Sequence, residues 1–335
     1  AGHASLLAQA RFALARLEAL RDAVPRPGLP ANRKYFEGLL SRSSAPQPAK
    51  PAGKRGRCLD LAYWSEVDGS AQPYALGVPP QYDPARAWPL VVQLHGAGYD
   101  PARQVSAPVW DEAFVLAPHG RGWTDYMRLG EADVLHVIDL VRAQFSIDPD
   151  RVYVAGSSMG CTGCWHLAAH YPDRFAAIAP VCGNSDTAVW DANWGPAFPH
   201  DDPMRDLRQR LRARLDPVTF AVNLHNVGVI AAHGGRDRVV YVDASRRMIE
   251  PLIQGGALPI YREEPRAGHR VPERARADFR PWLLAQRRGT APRRVRFRSA
   301  EDHHNRAYWV RIDRRADPLA VAEIDAVVAG PNEIR

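Results

Sequence analysis

The stretch Arg151–Gly160, RVYVAGSSMG, decides how the rest of the chain is read. A β-branched strand enters it and a helix rich in Ala, Trp and Leu leaves it. Between them Gly156-Ser157-Ser158-Met159-Gly160 forms the pattern G-x-S-x-G. So tight a turn from strand to helix needs glycines around the central serine, which is lifted above the sheet edge. Ser158 then sits at a helix N-terminus, where the partial positive charge favours negative charge. It is the candidate nucleophile. Ser157 occupies the x position and points aside.

Outward from this turn, short apolar strands alternate with helical patterns. Strands are expected at Tyr74–Val78, Leu90–Leu94, Phe114–Ala117, Val152–Ala155, Ala176–Val181, Val227–Ala232 and Pro259–Arg262. Helices are expected near 131–145, 160–171, 203–214, 243–255 and 272–287. That alternation predicts an α/β fold, a mostly parallel sheet with helices on both faces. Working residues in such sheets lie in loops beyond the strands' carboxyl ends.

A serine hydroxyl needs a base to take its proton, and the base needs an orienting acid. On this kind of sheet the chain order is Ser, then Asp or Glu, then His. After the strand VGVIAA comes His233-Gly-Gly-Arg-Asp237, and after PIYREE comes Ala267-Gly268-His269. Asp237 and His269 therefore fall at successive strand ends, as acid and general base. Asp243 is a rival acid but reads as the cap of a helix starting at Ala244. Asp186 is a second rival. The oxyanion of a tetrahedral intermediate needs backbone N–H donors, expected from Met159 and from Ala97 or Gly98 in LVVQLHGAGYD. His95 is expected to brace that loop. Trp123 and Tyr126, with Trp190 and Trp194 in the 183–202 insertion, are the candidate substrate-binding aromatics.

With these residues in place, 60–288 resembles the esterase and prolyl-oligopeptidase-like branch of the α/β-hydrolases, which includes feruloyl esterases and polyhydroxybutyrate depolymerase-like esterases. The phrases carrying the resemblance are DGSAQPYALGVP, LHGAG, DRVYVAGSSMG, YPDRFAAIAPVCG, HGGRD and AGH, in that order. It implies the α/β-hydrolase fold and ester hydrolysis through an acyl-enzyme, with no metal or cofactor. The expected substrates are small-molecule or polymer-linked esters, aromatic or carbohydrate-linked. Cys161 departs from the pattern, because relatives often carry glycine there, and should crowd the helix start slightly. A serine peptidase uses the same constellation. The roughly 57 residues ahead of the domain are too few for the propeller such peptidases usually carry, which favours the esterase. An inactive fold serving as a binding module has no need of all three of Ser158, Asp237 and His269.

Three segments are expected. Residues 1–57 hold an amphipathic helix, with Leu6, Leu7, Ala10, Leu14 and Leu17 on one face, and then a Pro-rich linker over 41–57. Residues 58–289 are the catalytic domain. Residues 290–335 form a small β-rich appendage, strand-like at Val295–Phe297, Tyr308–Ile312 and Val321–Val328, and read as truncated.

Composition narrows the partners. The net charge is +7, yet the arginines are scattered, so a solvated basic surface is expected and no nucleic-acid partner. No apolar run is long enough to span a membrane. Oligomeric state is open. Cys161-Thr-Gly-Cys164 has no second CxxC beside it and reads as two packed thiols, so no metal is expected. The start at Ala1 leaves room for a removed leader and a secreted or periplasmic location. The first residues do not themselves read as a signal peptide, because Arg11, Arg16 and Glu18 interrupt them.

Overall fold

The computed structural model describes residues 57–67, 71–97, 107–317, 319–331 and 333–335. The helix expected over 4–22, nearly all of the 41–57 linker, and Gly98 lie outside these residues. The described chain falls into two compact units.

In the first unit β1 (Arg57–Trp64) pairs antiparallel with β2 (Ala71–Val78), Arg57 opposite Val78 and Trp64 opposite Ala71. Strands β3 (Trp88–Leu94) and β4 (Phe114–Pro118) run parallel, with Leu90 opposite Phe114, and β2 lies antiparallel beside β4. Leu76, Leu90, Val91, Val92, Phe114, Val115 and Leu116 are wholly buried. Such runs without polar alternation are what strands covered on both faces require. Helix α1 (Leu129–Gln144) buries Val134, Val137, Ile138 and Val141, a single apolar stripe at helical spacing. Asp133 on the same helix is buried, where Arg121 pairs with it at 2.9 Å and the Tyr63 hydroxyl donates to it.

The second unit carries four parallel strands in the order β5 (Ile147–Ser157), β6 (Ala177–Val181), β7 (Gly228–Gly234) and β8 (Ile260–Glu264). Tyr153 lies opposite Ala177, Ile178 opposite Val229, and Ile230 opposite Ile260. Helix α2 (Met159–His170) follows β5 and packs on β6, with every one of its residues buried. Next come α3 (Thr187–Trp194), α4 (Arg205–Ala213), a 3-10 segment over Pro217–Asn226, α5 (Asp243–Gln254) and α6 (Phe279–Ala285). After them β9 (Arg294–Ser299) pairs antiparallel with β12 (Ala322–Gly330), and β12 with β13 (Glu333–Ile334). Two short strands, β10 (Arg306–Ala307) and β11 (Val310–Arg311), pair with each other. Val295, Phe297, Ala307, Val310 and Ala326 form the small apolar core of these strands.

The long helix expected over 272–287 is not continuous. A 3-10 turn, Glu273–Ala275, stands apart from the seven-residue α6. Pro281 has no N–H to give the preceding turn, so the helix begins only two residues before it. Helix α3 and strand β1 were not expected. The first is eight residues long and lacks an amphipathic stripe, and the second overlaps the end of the proline-rich stretch.

Candidate active site

Ser158 stands between β5 and α2 with φ 57° and ψ −124°, a conformation that side chains rarely adopt. The turn can be held there because its flanks have no side chains. A Cβ on Gly156 would lie 2.5 Å from the Gly160 carbonyl oxygen, and one on Gly160 would lie 2.4 Å from that of Leu94. The Ser158 amide donates to Val181 O at 2.9 Å, and its carbonyl accepts from Cys161 N at 2.8 Å. Cys161, expected to crowd this helix start, is accommodated because it faces Gly183, which presents no Cβ.

His269 and Asp237 come to Ser158 from the ends of β8 and β7. His269 Nε2 is 2.9 Å from Ser158 Oγ, and Nδ1 is 2.8 Å from Asp237 Oδ2. A carboxylate can only accept, so the network assigns the proton to Nδ1 and leaves Nε2 free to accept from the serine hydroxyl. Asp237 Oδ1 accepts from Val239 N at 2.8 Å and Val240 N at 3.0 Å. Burial by itself would raise the Asp237 carboxyl. The hydrogen bonds from His233, His269 and the two amides outweigh it and hold the group well below the usual carboxylate range. The rival acids are engaged elsewhere. Asp243 is an exposed residue in the first turn of α5, paired with Arg246 at 2.9 Å, and makes no cap there. Asp186 caps α3, accepting from Ala188 N at 2.7 Å, and pairs with Arg247 at 2.8 Å.

His233 went unassigned in the sequence and is part of this arrangement. It is fully buried, its Nε2 3.2 Å from Asp237 Oδ2 and its Nδ1 2.7 Å from Ser245 Oγ. The phrase HGGRD held it in plain view, but a histidine four residues from an acid does not announce which of its nitrogens faces that acid.

A cavity of about 360 Å³ opens over Ser158, with Ala97 and Met159 in its lining beside the serine. The loop carrying Ala97 is braced by Tyr126, whose hydroxyl accepts from His95 N at 2.7 Å and donates to His95 O at 3.2 Å. Tyr126 is therefore not a wall of the cavity: its ring is wholly buried beneath the loop. Trp123 is also absent from the lining and stands 68% exposed. Its loop closes on itself through Thr124 Oγ1 to Gly120 O at 2.7 Å, which turns the indole outward. Trp190 does line the cavity. Trp194 packs 6.0 Å from it, ring to ring, and donates through Nε1 to Val239 O at 2.9 Å.

Away from the site, the sequence reading passed over His166 and His170, spaced i, i+4 on α2. Their rings stack with His304, the centroids of His166 and His170 being 4.3 Å apart and those of His170 and His304 4.1 Å. His170 Nδ1 donates to His166 O at 2.9 Å. Cys161, Cys164 and Cys182 are free and buried, and Cys58 is free and exposed.

Residues 118–281 match the family model of the prolyl oligopeptidase family. A bifunctional acetylxylan esterase/xylanase of Neocallimastix patriciarum is 34% identical over 105 residues, 28% of this chain and 16% of the relative. Dipeptidyl peptidase family member 2 of Caenorhabditis elegans is 27% identical over 218 residues, 62% of this chain and 25% of the relative. The chain thus spans a quarter or less of the length of these two proteins. Among solved structures, a thermostable esterase superposes with a TM-score of 0.52 at 25% identity, covering 69% of this chain and 63% of that one. Strand order, serine turn and family match converge: over residues 118–281 the chain carries a prolyl oligopeptidase-family hydrolase domain, built on the α/β-hydrolase fold.

Proposed function

We propose that the protein is a serine carboxylic-ester hydrolase that works through an acyl-enzyme. The observation that carries the reading is the hydrogen-bonded series Asp237–His269–Ser158 at the cavity. In this reading His269 Nε2 takes the Ser158 proton as Oγ attacks the ester carbonyl. Asp237 keeps the Nδ1 proton in place and offsets the charge of the imidazolium. The backbone N–H groups of Met159 and Ala97 receive the oxyanion. Collapse of the tetrahedral intermediate passes the proton from His269 to the leaving alcohol, and water repeats the sequence on the acyl-enzyme. No cofactor enters these steps.

Ester over amide rests on the acetylxylan esterase and thermostable esterase likenesses. A serine peptidase is the second reading, favoured by the longer match to the dipeptidyl peptidase. A p-nitrophenyl ester chain-length series, run beside methyl ferulate and a dipeptide amide, separates the two. Faster turnover of the amide would replace the esterase by the peptidase. A fluorophosphonate should add one adduct, at Ser158, and Ser158→Ala should lose turnover by a factor on the order of 10⁶. An adduct on Ser157, or undiminished activity in the variant, removes the proposed nucleophile.

A further inference from the structure

Asp125 and Trp190 stand in the cavity lining and take no part in the hydrolytic steps. Asp125 has φ 53° and the next residue, Tyr126, φ 57°, two consecutive left-handed residues neither of which is glycine. Strain of that kind persists only where the surroundings impose it, and here the two Tyr126–His95 hydrogen bonds do so. The result is to present Asp125 in the lining that also contains Ser158. Among the described residues its carboxylate makes no hydrogen bond or ion pair. The residue is exposed, so donors on a bound molecule can reach its carboxylate; partial desolvation raises its pKa and the field of His166 opposes the rise.

Trp190 is 38% exposed on a helix that is fastened along its length. At the start of α3, Thr187 Oγ1 donates to Asp216 at 2.7 Å. In its middle Asp191 takes a bidentate contact from Arg212 at 2.9–3.1 Å, and at its end Asn193 Nδ2 donates to Val239 O at 2.7 Å. An indole left open on so fixed a support is a preformed platform.

A flat apolar face and an acceptor in one cavity suit a ring that shows C–H bonds on its faces and hydroxyls at its rim. A bare aryl group would bury Asp125 with no donor to satisfy it. A cation is the competing occupant, because Arg212 in the same lining is already paired with Asp191. We propose that Asp125 and Trp190 form a subsite for the alcohol part of the ester, that this part is a pyranose ring, and that two of its hydroxyls donate to Asp125 while its face lies on Trp190. The proposal rests on the ester-hydrolase reading above and names its substrate class.

Two experiments test it, one of them independent of turnover. Saturation-transfer NMR of methyl β-pyranosides with the Ser158→Ala protein should show transfer to the ring C–H protons, and Trp190→Ala in that background should abolish it. No transfer overturns the subsite whatever the enzyme hydrolyses. In the active protein, kcat/KM on a monoacetylated methyl pyranoside is divided by that on p-nitrophenyl acetate, which shares the acyl group. Asp125→Asn and Trp190→Ala should each lower this ratio about tenfold or more, through KM, the loss expected for a charge-assisted hydrogen bond or a stacking face. Trp190→Phe should recover most of it. An unchanged ratio in both variants, or acetylcholine turned over faster than the pyranoside ester and most impaired by Asp125→Asn, overturns the proposal. Failure of the wild-type protein on p-nitrophenyl acetate, with sugar transfer intact, would count against the hydrolase reading and leave the subsite standing.

Discussion

Four hydrogen bonds converge on Asp237, whose side chain solvent does not reach. They hold the carboxyl well below the usual carboxylate range, so that it is charged at neutral pH. The acid limb of kcat/KM should therefore show a single ionisation, none of it from Asp237, with activity rising as pH rises. Two ionisations on that limb would mean that Asp237 titrates as well. Asp237→Asn keeps the shape but favours the wrong imidazole tautomer, a change worth about 10⁴ in turnover in a related triad. Asp243→Asn, on an exposed residue paired with Arg246, should cost less than about twofold, the effect of one surface ion pair. The reverse ranking would show that the wrong acid has been chosen. His233 enters through the same carboxylate. Removing its donor in His233→Ala should raise the Asp237 pKa and bring a second ionisation into the acid limb, a signature that simple loosening of the core would not give.

At the scale of elements, the β5–α2 turn tolerates no added atoms. Gly156→Ala places a methyl 2.5 Å from backbone, and Gly160→Ala one at 2.4 Å. Each should destabilise by about 2 kcal/mol or more, read from urea denaturation, because the neighbour is main chain and cannot step aside. Helix α3 carries a pH-dependent cost at its anchor. Asp216 accepts from Thr187 N and Oγ1, yet burial lifts its pKa to about 6 despite those bonds. A raised pKa means that the folded state prefers the protonated acid. This group helps the fold at acid pH, and that help is lost as pH rises through 6. The stability of Asp216→Asn relative to wild type should therefore increase by about 2–3 kcal/mol between pH 4 and pH 7.5. A difference that stays constant with pH would show Asp216 to be charged at no cost.

At the scale of the whole molecule, several arginines among the described residues sit in short ion pairs. Arg294 with Asp325, Arg298 with Glu323, and Arg246 with Glu263 lie at 2.7, 2.8 and 2.6 Å. The cysteines give a global measurement of the fold. Three are buried and none is bonded to another, so a native thiol titration should count one reactive group, Cys58, and the denatured chain four. All four thiols reacting in the native protein would place Cys161 and Cys164 at the surface and break the packing described for α2.

What the sequence determined by itself was local or ordered along the chain. The alternation of apolar strands with helical stripes specified the parallel strands β5 to β8, and the glycines around Ser158 specified the turn, because each depends on neighbours a few residues away. Chain order and strand ends pointed to Asp237 and His269, which the structure brings within hydrogen-bond distance of each other and of Ser158. The tertiary structure decided what depends on partners distant in sequence. Tyr126 was read as substrate-binding and is instead a brace, because its hydroxyl reaches a backbone 31 residues away. Asp125, its neighbour, faces the cavity only because that brace holds the loop in a left-handed turn. His233 joined the site through the fold of the loop that carries Asp237. Pro281 shortened a helix that its apolar spacing alone would have made long. Periodicity records which face of an element is buried, whereas the side chain it meets there is chosen by how distant segments close upon one another.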